Sequence, residues 1–332
     1  MFSNKADVLN LINTQMKAVL KKQSELAGDA FATNVGFDVM RQRYIEERRF
    51  WNEGGPVMAK IHDDVVESFD DSSIPVRYYY PSTASCDSPL PAIEYIHGGG
   101  FVVGSIDTHD RITRMLAHET GAVVVSVDYP LSPEAKFPKA LEACVAVAAY
   151  LHEHGDKHGI LPNDISFAGD SGGANLSLAS FLYLRDEMED ASFIKTMLLY
   201  YGMYGLKDSC GYRLYGGSWD GLDASDMEYY LDCYCADKEK DLQSPYLNCL
   251  SADLTKHVAP CYIASAEYDP LIDDSKTLHR MLQIHGMTSE YEEFKGVIHA
   301  FLHHTRMLDE AQRALDHGAS FFRRQHTHYL AQ

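Results

Sequence analysis

Basic residues are scarce. Against 48 Asp and Glu, the 332-residue chain carries only 29 Lys and Arg, a formal net charge of −19. Nucleic-acid binding draws its affinity from clustered Lys and Arg that displace phosphate counterions, so this balance argues against that class of function. Long apolar runs are missing too. No segment approaches the roughly 20 apolar residues a membrane-spanning helix needs, so no membrane contact is expected. The N-terminus "MFSNKADVLNLINTQMK" has no apolar core segment and no small-residue cleavage site, so no signal peptide is expected. There is no Gly-Lys dipeptide, hence no Walker loop, and no Gly-x-Gly-x-x-Gly. The seven cysteines (86, 144, 210, 233, 235, 249 and 261) are odd in number and scattered. Cys233-Tyr-Cys235 has no second pair at zinc-like spacing. Reduced thiols, no metal and a cytoplasmic location are the expectations.

What is present has a clear rhythm. Residues 6–26 and 37–53 read as amphipathic helices, the second ended by Gly54-Gly55-Pro56. In that second helix Arg41, Arg43, Arg48 and Arg49 alternate with Glu46 and Glu47, the pattern of a solvated, salt-bridged face. From residue 60 the period changes to that of strands. "DVVESF" and "IPVRYYYP" flank the polar turn "DDSS" as a hairpin. Strands then alternate with helices: "PAIEYIH", helix 108–120, "AVVVSVDY", helix 138–154, "DISFAGD", helix 172–188 and "KTMLLYYG". After an irregular stretch at about 205–255, "PCYIASAEYDP", helix 272–285, "SEYEEFKG" and helix 306–324 follow. Apolar strands alternating with helices imply an α/β fold, a mostly parallel central sheet flanked by helices. Residues 205–255 are too long for a simple loop. They are read as a cap insertion into a catalytic domain of 56–330, joined by an N-terminal helical cap segment, 1–55.

Four features in this frame carry chemistry. "ISFAGDSGGANLSLASFLYL" puts Ser171 on a strand-to-helix turn inside Gly169-x-Ser171-x-Gly173. Such a turn strains the backbone and needs small neighbours, while the helix amino terminus favours developing negative charge. Upstream, "YIHGGGFVVGS" offers Gly98, Gly99 and Gly100 directly after a strand. Their N–H groups, with that of Gly172, suit an oxyanion hole. A nucleophilic serine needs a base and the base an orienting carboxylate, in the chain order Ser, Asp or Glu, His. Asp269 follows a strand and precedes Pro270, with Glu267, Asp273 and Asp274 as competitors. His299 follows the last strand, and His303 and His304 lie one turn later, on an expected helix. His97 lies on the wrong side of Ser171 in chain order to be the base. It is read as a brace for the glycine loop, and Asp170 as a second supporting residue.

Together "HGGGF" (97–101), "DYPLSPE" (128–134), "GDSGG" (169–173), "DPLIDD" (269–274) and "HAF" (299–301) resemble the bacterial hormone-sensitive-lipase-like carboxylesterases of the α/β-hydrolase fold. Segments such as "GGSWDGL" are most similar to the enterobacterial acetyl esterases among them. The resemblance implies a catalytic triad of Ser171, Asp269 and His299, no cofactor, a short-chain acyl ester as substrate and a cytoplasmic enzyme. A homodimer is carried as one option only, since the sequence does not reveal the oligomeric state. Contacts with a maltose-regulon activator and an alpha-galactosidase are implied by the resemblance alone. Two positions depart from the pattern. Gly172 stands where the family usually has alanine, and Pro130 where it often has arginine. The competing readings are a catalytically silent binding protein on the same fold and a related amidase or thioesterase.

Overall fold

The computed structural model describes residues 4–27, 32–82 and 88–326. Cys86 lies outside them. Eight strands form one sheet: β1 (Lys60–Glu67), β2 (Ser73–Tyr80), β3 (Leu90–Ile96), β4 (Val123–Val127), β5 (Ile160–Asp170), β6 (Ile194–Tyr200), β7 (Cys261–Tyr268) and β8 (Ser289–Ile298). Their spatial order is β1-β2-β4-β3-β5-β6-β7-β8. The first two pairings, β1 with β2 and β2 with β4, are antiparallel. Every later pairing is parallel.

The helices are α1 (Val8–Leu11), α2 (Thr14–Leu26), α3 (Phe37–Asn52), α4 (Asp110–Thr120), α5 (Lys139–His154), α6 (Gly172–Asp186), α7 (Cys210–Leu214), α8 (Ala224–Tyr234), α9 (Lys238–Asp241), α10 (Ile272–Ile284) and α11 (Asp309–Gln325). The expected helix over 6–26 divides at Asn13. Its side chain accepts from the Met16 N–H at 2.7 Å and caps α2, and α1 ends two residues earlier, at Leu11.

Side chains alternate between two apolar layers. In β4, Val123, Val125 and Val127 join one cluster and Val124 the other. The first layer is covered by α5, α6 and α10, through residues such as Leu141, Val145, Leu178, Leu182 and Leu278. The second is covered by α4 and α11, through Ile112, Leu116, Leu315 and Phe322. Each fully buried aliphatic side chain contributes about 1.5–3 kcal/mol. This burial on both faces is why the central strands read as continuous apolar runs.

The two N-terminal elements cover different ground. Val8, Ile12, Met16 and Val19 join the second apolar layer, and Asn13 N–H donates to the Gly296 carbonyl at the end of β8. The segment 37–52 instead packs Met40 and Tyr44 against Val102 and Val103 of the glycine loop and Cys233 of α8. Arg41 adds hydrogen bonds to the carbonyls of Val102 at 3.0 Å and Ser132 at 2.9 Å. Helix α3 thus lies over the carboxyl edge of the sheet and meets α8 of the 205–255 stretch there.

That packing corrects the expectation of a solvated charged face on α3. Glu47 and Arg48 are both buried and paired with each other. The Trp51 indole N–H donates to Glu47 at 2.6 Å. The opposite charges go in together because neither could be buried alone.

Candidate active site

The strand-to-helix turn is built as its glycines require. β5 ends at Asp170, α6 begins at Gly172, and Ser171 between them has φ +53° and ψ −120°. A non-glycine residue holds such angles only when its surroundings over-determine them. Here the Ser171 N–H donates to the Tyr200 carbonyl at 2.9 Å. A Cβ on Gly169 would lie 2.4 Å from the Gly173 carbonyl oxygen, and one on Gly173 would lie 2.0 Å from that of Ile96. These two glycines let the first turn of α6 press onto the end of β3.

The predicted partners converge on Ser171. Its Oγ is 2.8 Å from Nε2 of His299, and Nδ1 of His299 is 2.7 Å from Oδ2 of Asp269. Oδ1 of Asp269 accepts from the Leu271 N–H at 2.8 Å. His299 and Asp269 are buried. Burial alone would lower the imidazole's pKa, but the Asp269 carboxylate outweighs it and leaves His299 above its ordinary value. The Tyr201 ring packs edge-on against the imidazole at 4.9 Å.

The three competing acids are occupied elsewhere. Glu267 accepts from the Gly296 N–H at 2.8 Å. Asp273 accepts from that of Gly211 at 2.7 Å. Asp274 accepts from those of Tyr204, Gly205 and Leu206. His303 and His304 fall on a 3-10 turn, Phe301–His304, rather than on an α-helix. Both are buried, and burial with the nearby Arg48 charge drives their pKa values well down.

The glycine loop divides its labour. Gly99 and Gly100 have φ of +123° and +57° and line one cavity with Ser171, Gly172 and His299. Among the described residues no protein acceptor takes up the N–H of Gly99, Gly100 or Gly172. Gly98 corrects an expectation. Its N–H donates to Oδ1 of Asp170 at 2.9 Å, so it anchors the loop instead of facing a substrate oxygen. His97 sits where a brace should. It stacks on Tyr129 at 4.2 Å, its Nδ1 lies 2.8 Å from the Gly98 carbonyl, and burial lowers its pKa to about 3.

Asp170 also accepts from the Tyr95 hydroxyl at 2.7 Å. Burial would raise its pKa, but the His109 ring beside it and these hydrogen bonds bring it down to about 2. His109, Asp170 and His303 place possible ligand atoms within 4.8 Å of one another. The set suits loop anchoring better than a cation. Asp170 already accepts from Tyr95, Gly98 and Tyr201, and the Arg48 guanidinium acts on His303.

Tyr44, Arg48, Met203, Asp220, Leu222, Met227, Tyr230 and Leu271 complete the cavity. A cap from the 205–255 stretch and residues 1–55 was expected from the sequence, but no motif in either marks Tyr44, Arg48 or Asp220 individually as a neighbour of Ser171. Tyr95 and Tyr201 were missed because a strand-borne tyrosine reads as core. Glycine at 172 now has a geometric meaning: a Cβ there would lie 3.3 Å from Cε1 of Phe101 and 3.6 Å from the Gly100 nitrogen.

With this geometry in place, comparison with known proteins is informative. Residues 93–303 match the family described as alpha/beta hydrolase fold. The acetyl esterase of Salmonella dublin is 44% identical over 319 residues, 96% of each chain. A hyperthermophilic esterase from the archaeon Pyrobaculum calidifontis superposes with a TM-score of 0.87 at 30% identity, over 95% of this chain and 99% of that one. A thermophilic carboxylesterase from a metagenomic library gives a TM-score of 0.82 at 30% identity, over 88% and 98%. The chain belongs to the alpha/beta hydrolase family.

Proposed function

We propose that this protein is a serine carboxylesterase that hydrolyses short-chain acyl esters through an acyl-enzyme, and that Ser171, His299 and Asp269 are its triad. The observation that carries this reading is the unbroken hydrogen-bonded line Ser171–His299–Asp269, at 2.8 and 2.7 Å, beside three unoccupied backbone N–H groups. His299 takes the hydroxyl proton as Oγ attacks the ester carbonyl carbon. The carbonyl π bond becomes an oxyanion facing the amides of Gly99, Gly100 and Gly172. Collapse of the tetrahedral intermediate breaks the C–O bond to the alcohol, which leaves with the proton His299 holds. Water, deprotonated by His299, then cleaves the acyl-enzyme by the same route in reverse. Asp269 holds the imidazole tautomer and stabilises its charged form.

We take α3 and the insertion helix α8 as the cap that limits the acyl chain. The cavity between them and Ser171 is narrow, about 70 Å³, and its apolar side chains Met203, Leu222 and Met227 suit a short acyl group. The acetyl esterase relatives support the same preference. A p-nitrophenyl ester series from acetate to palmitate tests it: kcat/KM should be highest at acetate or butyrate, and a maximum at long chains would overturn it. An ester, thioester and amide panel separates the esterase reading from its rivals.

The six described cysteines are free thiols. On that ground we assign the protein to a reducing compartment, the cytoplasm. No helix among the described residues is long and apolar enough to cross a membrane.

A further inference from the structure

We infer that Asp220 is a substrate-binding residue that selects esters whose alcohol portion carries a hydroxyl group. This deepens the esterase reading and rests on it. The carboxyl group is divided between two tasks. Oδ1 accepts from the N–H groups of Gly217 at 2.9 Å and Leu222 at 3.2 Å and closes the 217–222 turn. Oδ2 is shielded from solvent and has no hydrogen-bond partner among the described residues. A carboxyl oxygen left in that state is unfavourable unless a ligand completes it.

Its position says which ligand. Asp220 lines the same cavity as Ser171 and His299, whose neighbouring walls are the apolar Met203, Leu222, Met227, Leu231 and Leu271. A few placed polar groups among apolar walls are how small-molecule sites fix orientation, and Tyr44, Arg48 and Tyr230 line this cavity as well. Asp220 interacts electrostatically with His299 and Asp269. We place the alcohol portion of the ester beside it, because the neighbouring His299 is the group that protonates the leaving alcohol. Burial pushes its carboxyl up to about 7, so both protonation states are present near neutrality. Either state pairs with a hydroxyl. The acid donates to the hydroxyl oxygen, and the carboxylate accepts the hydroxyl proton. The substrate class indicated is an acyl ester of a diol or polyol, and a simple alkyl ester leaves Oδ2 unpaired.

The test compares 2-hydroxyethyl acetate with n-propyl acetate, which exchange a terminal hydroxyl for a methyl group. The parent protein should favour the hydroxyl ester in kcat/KM by about tenfold or more, since a site built to pair a hydroxyl rejects the analogue without it. Asp220→Leu should bring that ratio to near one. Asp220→Asn, which keeps an acceptor for the turn and offers a donor at the second position, should retain most of it. The ratio is internal to each protein, so altered expression or partial unfolding cancels, and Asp220→Ala replaces Asp220→Leu if the latter does not fold. A parent ratio near one, or a parent preference that survives the apolar variants, overturns the assignment of Asp220. If neither acetate nor p-nitrophenyl acetate is hydrolysed, the esterase reading itself fails.

Discussion

The N–H of Gly98 is tied to Oδ1 of Asp170 over 2.9 Å, which joins the glycine loop to the residue just before the nucleophile. Tyr95 donates to the same oxygen. The two halves of the proposed site, the Ser171 turn and the glycine loop, are therefore joined by one buried carboxylate. Asp170→Ala leaves the Gly98 amide and the Tyr95 hydroxyl unpaired, at about 1–3 kcal/mol each. With the loop released, kcat on p-nitrophenyl acetate should fall about 10²–10³-fold, the size expected for a lost oxyanion donor. Asp170→Asn, which keeps an acceptor, should fall between. Kinetics on protein checked by circular dichroism decide this. Parent kcat in Asp170→Ala would show that the tie does not matter to the reaction.

The raised pKa of His299 fixes the direction of the pH profile. A general base works only when neutral, so kcat/KM should rise with pH and level off above an inflection higher than the ordinary histidine value of about 6.5. Asp269→Asn removes the charge that raises the pKa and leaves the burial that lowers it. Its inflection should move down while kcat drops by about 10⁴-fold. Ser171→Ala should cost more, about 10⁶-fold. An Asp269→Asn profile with the parent inflection would contradict the assigned pairing.

Two neighbouring glycines should respond in opposite ways to the same change. Gly172 lacks the positive φ that penalises side chains, and an alanine Cβ there needs Phe101 to yield by only a few tenths of an ångström. Gly172→Ala should stabilise the protein by about 0.4–1 kcal/mol. Because Phe101 stacks on Tyr234 at 3.9 Å and follows Gly100, kcat/KM should drop, by less than about tenfold for so small a shift. Gly173→Ala would drive a Cβ to 2.0 Å from the Ile96 carbonyl oxygen. Thermal melts should show Gly173→Ala strongly destabilised or unfolded.

Glu94 makes stability depend on pH. It sits in β3 between Val125 and Phe167, and neither of its carboxyl oxygens has a partner among the described residues. Burial raises its pKa well above the usual carboxylate range. The folded state therefore keeps its proton while the unfolded state loses it, starting near pH 4.5. Stability is fully present below that pH and is lost as pH rises, by about 1.4 kcal/mol per pH unit until the folded group ionises. Glu94→Met, of similar size and without charge, should raise Tm, and the gain should grow between pH 5 and pH 8. A gain that is absent or independent of pH would show that Glu94 is not held neutral.

The sequence by itself determined the sheet, its helical layers and the Ser-Asp-His order. Those rest on short-range rules: strand and helix periods, glycines where a turn excludes a Cβ, and acid and histidine at strand ends. It misplaced what depends on distant chain meeting. Gly98 looked equal to Gly99 and Gly100 until Asp170, 72 positions along the chain, took its N–H. Glu47 and Arg48 looked solvated until the packing of α3 buried them as a pair. Asp269 was already singled out by its strand end, Pro270 and the family resemblance, and the tertiary structure adds that Glu267, Asp273 and Asp274 accept from other backbone N–H groups. The glycine turn at 169–173 is local and legible. The presence of a cap from residues 1–55 and 205–255 was legible too, but which of its side chains reach Ser171, such as Tyr44 and Asp220, was decided only when α3 and the 205–255 stretch closed over the sheet, because no local pattern encodes that register.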